Sequence, residues 1–207
     1  MSEVRTMANA ALYVLFAAMA EVMGDNGLKS VLRLAKLERY IDNFPPNNTD
    51  MGVTHSEYGA AQQAIEDFYG PRGARAILVR IGRALFRYSL QEQPAVLGLA
   101  GLALKALPRG ARVKLILQKI VAAANENLNI PSHVEESDDA YIYVAEDSPS
   151  RWRPRRSSPG CHVTIGTYQE ALRWATGQNY RIEEFSCLAA GDDACRFRIY
   201  KEPLSDT

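Results

Sequence analysis

Apolar residues recur every three or four positions through most of the first 130 residues, a spacing typical of amphipathic helices. Leu12, Leu15, Phe16 and Met19 share one helical face in the first such segment. The same pattern continues to Asn127. It predicts six helices, over residues 8–23, about 28–36, 54–70, 74–90, 94–107 and 111–128.

Local signals mark several ends of these helices. Thr54 and Glu57 have the spacing of a capping box, and Gly70 followed by Pro71 is an expected helix stop. Residues 94–107 are apolar on almost every side. Such a segment is a buried helix, a helix in an oligomer interface or the wall of an apolar cavity.

The C-terminal third has the alternation of β-strands. Residues 140–145 alternate between aromatic and aliphatic side chains, and the runs 180–188 and 195–200 are separated by a turn signal that contains Gly191. These two runs form a predicted hairpin. A helical pattern that starts near Cys161 and stops at Gly177 precedes it.

This order of elements predicts an α+β fold in which N-terminal helices pack on a small C-terminal antiparallel sheet. We expect one domain over residues 1–207, with a helical part at about 5–130 and a sheet part at about 131–202. Residues 147–160, with four arginines and one tryptophan, have the composition of an exposed loop.

The chemistry-bearing residues concentrate around the predicted hairpin. Its first strand carries Glu184 and Cys187 and its second begins with Cys195, while a short helix packed on it would return Cys161. Three thiolates and one carboxylate form a closed four-coordinate shell for zinc. The alternative is that the cysteines are ordinary buried residues. Among the histidines, which also include His55 and His133, His162 is the one placed to compete with Glu184 as a ligand.

Composition and charge limit the classes of protein to which this chain can belong. An apolar fraction of 47% and a charged fraction of 23% are typical of a globular protein, and the 24 basic and 24 acidic residues cancel. The balance gives no reason to expect a nucleic-acid partner. The N-terminus lacks the pattern of a secretory signal, and no segment is long and apolar enough to span a bilayer, so we expect a cytoplasmic protein.

The cysteine region resembles the C-terminal signature of V4R (4-vinyl reductase) domains. The shared pattern is Glu184-x-x-Cys187, a Gly191-Asp192 turn and then Cys195-x-Phe, with Cys161 upstream at a helix start. The resemblance implies that these three cysteines and the glutamate hold a structural zinc, as the equivalent residues do in related phenol-sensing domains of bacterial transcriptional activators. It also implies an α+β fold similar to TRAPP vesicle-tethering subunits, an apolar ligand pocket and a homodimer.

The resemblance directs attention to apolar residues that would line such a pocket. The ligand would be aromatic, a tetrapyrrole or another hydrophobic molecule, and arginines 80, 83 and 87 are candidates for pairing with a carboxylate on it. The candidate lining residues are Phe86, Leu99, Leu117, Tyr143, Tyr168 and Trp174.

Two classes of function follow from these expectations. The sequence has no nicotinamide or flavin motif, and a zinc ion with four protein ligands has no open position for a substrate. We therefore expect a small-molecule carrier or sensor rather than an enzyme. The alternative is the reaction that gives the family its name, a 4-vinyl reductase or an accessory protein of (bacterio)chlorophyll biosynthesis.

Overall fold

The N-terminal half is helical, as its apolar spacing predicts. The computed structural model describes residues 4–92 and 104–205, so Leu99 and most of the predicted helix 94–107 lie outside the described residues. Three long helices occupy this half. They are α1 (Asn9–Leu34), α2 (His55–Glu92) and α3 (Arg109–Asn127).

Helices α1 and α2 each combine two of the predicted helices. Each is interrupted by a glycine in a left-handed conformation, Gly24 with φ 73° in α1 and Gly70 with φ 72° in α2. Asp25–Gly27, a predicted break, is therefore helical, because Gly24 already provides the change of direction. Pro71 begins the second part of α2, where its missing N–H has no partner to lose.

The predicted capping box at the start of α2 is confirmed. The Glu57 backbone N–H donates to the Thr54 hydroxyl at 3.2 Å, and the Glu57 carboxylate accepts from the Thr54 backbone N–H at 2.8 Å. These two bonds satisfy backbone donors that the first turn of a helix leaves without partners. The position where α2 starts is thus set by local sequence.

The main sheet is antiparallel and lies in the C-terminal third. A short pair, β1 (Thr6–Met7) and β2 (Val53–Thr54), joins the chain start to the entry of α2. The four-stranded sheet has the order β3-β4-β6-β5, and the predicted hairpin is β5 with β6. Its strands are β3 (Ser132–Glu136), β4 (Ala140–Ala145), β5 (Tyr180–Ser186) and β6 (Cys195–Pro203).

A fourth helix, α4 (His162–Thr176), connects β4 to β5 and packs on both α2 and the sheet. It crosses α2 at Gly82 and Gly166, where an added Cβ at either glycine would collide with a backbone carbonyl oxygen of the other helix. The close crossing fixes the depth of α4, and with it the position of Cys161 at its start. Gly177, in a left-handed conformation, ends the helix as predicted.

The core has two parts. One lies between α1 and α2, and the other lies between the sheet, α3 and α4. The α+β fold class predicted from the sequence is confirmed. Across residues 4–92 and 104–205, every helix is too short or too polar to cross a bilayer.

Candidate metal centre and adjoining cavity

The fold brings together the three cysteines and the glutamate that the sequence singles out. Glu184 lies on β5, Cys187 directly follows that strand, Cys195 begins β6 and Cys161 precedes the first turn of α4. One ligand atom from each residue lies within 4.8 Å of the others. We call these four residues the thiol cluster.

The turn between β5 and β6 is shaped so that both of its cysteines face the same point. The Asp192 carboxylate accepts the Cys187 backbone N–H at 2.7 Å, and Gly191 adopts a φ of 101° that favours glycine. The Leu188 backbone N–H donates to the Cys195 sulfur at 3.4 Å. The Gly-Asp turn of the sequence signature thus orients the thiols rather than contributing a ligand itself.

The spacing of the sulfur atoms suits a tetrahedral metal site. The Cys161 sulfur lies 3.8 Å from that of Cys187 and 4.0 Å from that of Cys195. Two sulfurs on one tetrahedral zinc, with zinc–sulfur bonds of about 2.3 Å, would be ~3.8 Å apart. The three cysteines are at most 7% exposed and form no disulfide.

Glu184 completes the cluster, and only one of its two carboxylate oxygens has a hydrogen-bond partner among the described residues. Its Oε2 accepts the Cys161 backbone N–H at 2.7 Å, while Oε1 is buried without a hydrogen-bond partner in the described part of the chain. A buried carboxylate oxygen without a partner is costly, and a metal ion would satisfy it. The group that comes together contains Glu184 and not His162.

Burial and mutual contact shift the proton affinities of this cluster. Burial, reinforced by Cys187, raises the pKa of Glu184 to about 8. Hydrogen bonds to Cys187 and Cys195 raise the pKa of Cys161 well above its ordinary value, and the bonds from Cys161 and Cys187 lower that of Cys195. The cluster therefore retains protons that a divalent cation would displace.

A cavity of about 230 Å³ adjoins the thiol cluster, between α2, α3, α4 and the sheet. Cys161 and Cys195 belong to its wall, so the cavity and the cluster share one side. Most of the remaining wall is apolar, as in small-molecule sites generally. Its large apolar side chains include Phe86, Ile116, Ile120, Tyr143, Tyr168 and Phe197.

Of the residues predicted to line a pocket, the structure places some in the cavity wall and others outside it. Phe86, Tyr143 and Tyr168 line the cavity. Leu117 is 1% exposed within the core beside it, and Trp174 is 36% exposed with its ring 6.1 Å from that of Phe86.

The three arginines of α2 lie away from this cavity. Arg83 donates to Gln169 at 2.8 Å, and Arg87 pairs with Glu21 at 2.6 Å. Arg80 is exposed. None of the three contributes to the cavity wall, so they are not placed to bind a carboxylate there.

The prediction that residues 147–160 form an exposed loop holds only for part of the segment, such as Arg151 and Arg155. Ser148, Ser150 and Arg153 are buried, and all three line the cavity. The Arg153 guanidinium lies 2.9 Å from Glu66, and Arg156 lies 3.0 Å from the same carboxylate. The Glu66 carboxylate pairs with both guanidiniums, which allows Arg153 to pack inward. We call Glu66, Arg153 and Arg156 the arginine cluster.

Sequence reasoning missed Ser148, Ser150 and the arginine cluster. The loop has the composition of a solvated segment, and Glu66 lies on α2, far away in the chain. The available signal was the Ser-Pro-Ser sequence that begins three residues after the end of β4. Ser148 starts a short 3₁₀ turn, Pro149–Trp152, by accepting the Ser150 backbone N–H.

Comparison with known families supports the resemblance in this half of the chain. The family model of the V4R domain matches residues 142–201, a segment that runs from β4 to β6 and contains all four residues of the thiol cluster. The predicted resemblance to V4R domains is therefore confirmed over that segment. No curated protein sequence matches the chain.

Solved structures show the same fold over nearly the whole chain. An oxygen-binding H-NOX domain related to soluble guanylate cyclases is 14% identical with a TM-score of 0.59, covering 97% of this chain and 98% of its own. An H-NOX protein from S. oneidensis is 15% identical and one from K. algicida is 11% identical, and both give a TM-score of 0.60. Each match covers 97% of this chain and 98% of the H-NOX chain. At these identities the likeness concerns the fold alone.

Proposed function

We propose that this protein is a small-molecule sensor or carrier that holds a compact hydrophobic ligand in the cavity beside the thiol cluster. The observation that carries the proposal is the cavity itself, walled mainly by apolar and aromatic side chains such as Phe86, Tyr143 and Tyr168. Such walls with few polar groups are typical of ligand sites. The V4R match and the likeness to H-NOX domains, which include an oxygen-binding one, agree with this class of function.

We propose that the thiol cluster binds one structural zinc ion. The sulfur spacing, the free Oε1 of Glu184 and the burial of all three cysteines support this assignment. With four protein ligands the ion has no open position, so it would stabilise the fold and leave substrate chemistry to other groups. The ion would hold the β5–β6 turn to the start of α4.

One of the similar solved structures concerns the modulation of heme redox potential, and the described residues of this chain do not fit a heme. Histidine is the most common axial ligand of heme iron, and no histidine of the described residues lines the cavity. The two cysteines in the wall belong to the thiol cluster. At about 230 Å³ the cavity is also smaller than the ~300–1,000 Å³ of drug-sized ligand sites. We therefore propose a compact ligand rather than the tetrapyrrole that the sequence allowed.

A matched pair of variants on α3 tests the cavity. Ala124 is 3% exposed and lines it, whereas Ala111 is exposed on the same helix. A panel of small aromatics, fatty acids and porphyrins is titrated by calorimetry into the wild type, Ala124→Leu and Ala111→Leu. We expect a small aromatic to bind the wild type and Ala111→Leu but not Ala124→Leu. Equal binding to all three, or to none, contradicts the proposal.

The enzymatic alternative is tested with the same preparation. Reduction of a divinyl chlorophyllide in the presence of added reductant would favour a 4-vinyl reductase. A spectral shift without turnover would mean that the protein binds a tetrapyrrole, and it would contradict the compact ligand proposed here. We expect no turnover, because the cavity volume suits a smaller molecule.

Assembly, domain organisation and location stay predictions from the sequence. We propose a homodimer of single-domain chains in the cytoplasm, without a nucleic-acid partner. Exposed aromatic side chains such as Phe68 and Phe185 offer apolar surface for an interface. Sedimentation equilibrium at micromolar concentration should give twice the chain mass, and a monomer would contradict the homodimer.

A further inference from the structure

Two buried serines line the cavity next to the thiol cluster, and we call this part of its surface the serine wall. Ser148 and Ser150 are 8% and 4% exposed, both line the cavity, and their hydroxyl oxygens lie 2.5 Å apart. The Cys195 sulfur lies 3.0 Å from the Ser150 hydroxyl and 3.5 Å from that of Ser148. A polar group of a ligand at this wall would thus meet hydroxyls that already contact a proposed metal ligand.

The direction of these hydrogen bonds follows from the number of protons available. A metal-bound thiolate has no proton and accepts, and we assign the Ser150 hydroxyl as its donor because it is the nearer of the two, at 3.0 Å against 3.5 Å for Ser148. The Ser148 hydroxyl then donates to the Ser150 oxygen, and the Ser148 oxygen accepts the Ser150 backbone N–H at 3.3 Å. Both hydroxyl protons are used, and each oxygen retains one lone pair. The serines therefore offer acceptors, not donors, to the cavity.

The basic residue of the cavity wall that is nearest in sequence to the serines does not supply a competing donor. Arg153, which also lines the cavity, directs its guanidinium to Gln63 at 3.2 Å, to Glu66 at 2.9 Å and to the Gly160 carbonyl at 3.1 Å. Another hydroxyl in the wall, that of Thr167, donates to the Val163 carbonyl at 2.9 Å. The Arg153 guanidinium and the Thr167 hydroxyl are thus committed to protein partners, whereas the two serine oxygens keep lone pairs that can accept.

We propose that Ser148 and Ser150 are the specificity-determining residues of the cavity. They accept a hydrogen bond from a single O–H or N–H of an otherwise apolar ligand, and through Cys195 they link occupancy of the cavity to metal affinity. This inference rests on the proposed binding function. A ligand donor would polarise the chain of hydroxyls towards the thiolate, which strengthens each bond in the chain.

Indole and 1-methylindole are suitable probes, because they share a compact aromatic body and differ in one N–H donor. Their affinities for the zinc-loaded wild type are measured by calorimetry. We expect indole to bind about tenfold more tightly, the effect of one additional hydrogen bond in a buried site. Ser150→Ala should bring the two affinities together.

Ser89→Ala is the matched control. Ser89 also lines the cavity, from α2, and is not among the hydrogen-bond partners that the thiol cluster has in the described residues. Its substitution removes one cavity hydroxyl by the same chemical change, so it should leave the preference for indole intact. Loss of the preference in Ser89→Ala but not in Ser150→Ala would overturn the assignment.

Zinc affinity, measured by competition with a chromogenic chelator, tests the link to the metal. Ser150→Ala should weaken zinc about tenfold, as loss of a hydrogen bond to a metal ligand does in other sites. Indole should raise the zinc affinity of the wild type more than 1-methylindole does when both are at equal occupancy, and Ser150→Ala should abolish that difference. Equal effects of the two probes on the wild type would overturn the link.

The outcomes separate the inference from the function on which it rests. Equal affinities of indole and 1-methylindole for the wild type would overturn the inference and leave the cavity as a binding site. Failure of both probes to bind would count against the binding function itself, and the inference would fall with it. A donor preference that Ser150→Ala removes and Ser89→Ala keeps would establish the role of the serines.

Discussion

The arginine cluster and the thiol cluster differ in whether their buried polar groups have partners within the protein. In the arginine cluster the Glu66 carboxylate lies between the guanidiniums of Arg153 and Arg156, and the side chains of Glu66 and Arg153 are 5% and 2% exposed. The thiol cluster holds three thiols and a carboxyl group without a basic side chain. We call the arginine cluster complete, because each of its charged groups has a partner among the described residues, and the thiol cluster incomplete, because Oε1 of Glu184 has none there.

The two clusters hold consecutive residues of the same segment. Arg153 donates to the carbonyl of Gly160, and Glu184 accepts the N–H of Cys161. The start of α4 is thus fixed from one side by charges the chain supplies and from the other by a site that requires a cation. A complete cluster indicates a structural role, and an incomplete one indicates a binding site.

The largest expected effect on stability is the loss of the proposed zinc ion. Replacement of Cys187 by Ser takes one sulfur from the proposed zinc site and leaves a buried cluster without its ion. We expect loss of stoichiometric zinc and destabilisation by more than about 5 kcal/mol, because metal binding and folding are coupled. In a chain of this length that corresponds to a fall in Tm of roughly 15 °C. Elemental analysis and calorimetry measure both quantities.

Reconstitution supplies the control for this variant. Wild-type protein stripped by a chelator should recover its Tm when zinc is returned, and Cys187→Ser should not. Metal-free wild type with an unchanged Tm would show that the thiol cluster is complete without an ion.

A smaller effect is expected when the complete cluster is broken. Glu66→Gln leaves two guanidiniums beside the cavity without their carboxylate. Removing one partner of a buried ion pair costs about 3–5 kcal/mol, so Tm should fall by about 10 °C while zinc content stays at one ion per chain. Asp67→Asn, at the exposed neighbouring position of α2, should change stability by less than about 0.5 kcal/mol. Loss of zinc in Glu66→Gln would mean that the two clusters are not independent.

The same contrast explains how much could be predicted from the sequence. The thiol cluster was predictable because Glu184, Cys187 and Cys195 lie on one hairpin, whose register and Gly191 turn are local properties. The arginine cluster was not, because a guanidinium is buried only when a carboxylate lies opposite, and the pairing of Arg153 with Glu66 depends on how the loop packs on α2.

Packing also decided which apolar residues line the cavity. Leu117 and Ile116 are neighbours on α3, yet Ile116 lines the cavity and Leu117 packs in the core beside it. Helical periodicity identifies a buried face but does not distinguish a core contact from a cavity wall. Trp174 on α4 is partly exposed for a related reason, since the edge of a buried face is set by the neighbouring elements.

The smallest expected effect is on the pH dependence of zinc affinity. It distinguishes the thiol cluster from the arginine cluster in the folded protein. At neutral pH the thiol cluster holds protons on Glu184, whose pKa burial raises to about 8, and on Cys161, whose pKa is raised by its bonds to the other two thiols. Zinc must displace both, because a metal ligand is deprotonated. The zinc association constant should therefore rise with pH, by at least a factor of about 100 per pH unit below pH 8. Above pH 8 Glu184 has already lost its proton, so the rise per pH unit should be tenfold smaller.

Glu184→Gln tests this proton count directly, because an amide has no proton to release to a metal ion. Below pH 8 the slope of log affinity against pH should be smaller by one than in the wild type, and above pH 8 the two slopes should agree. Glu66→Gln is the control, since its carboxylate belongs to the arginine cluster and contacts none of the proposed ligands. Its slope should equal that of the wild type at every pH, although the variant is less stable. Chelator competition between pH 6 and 9 measures all three slopes, and a slope that Glu184→Gln leaves unchanged would mean that its carboxyl group is not a zinc ligand.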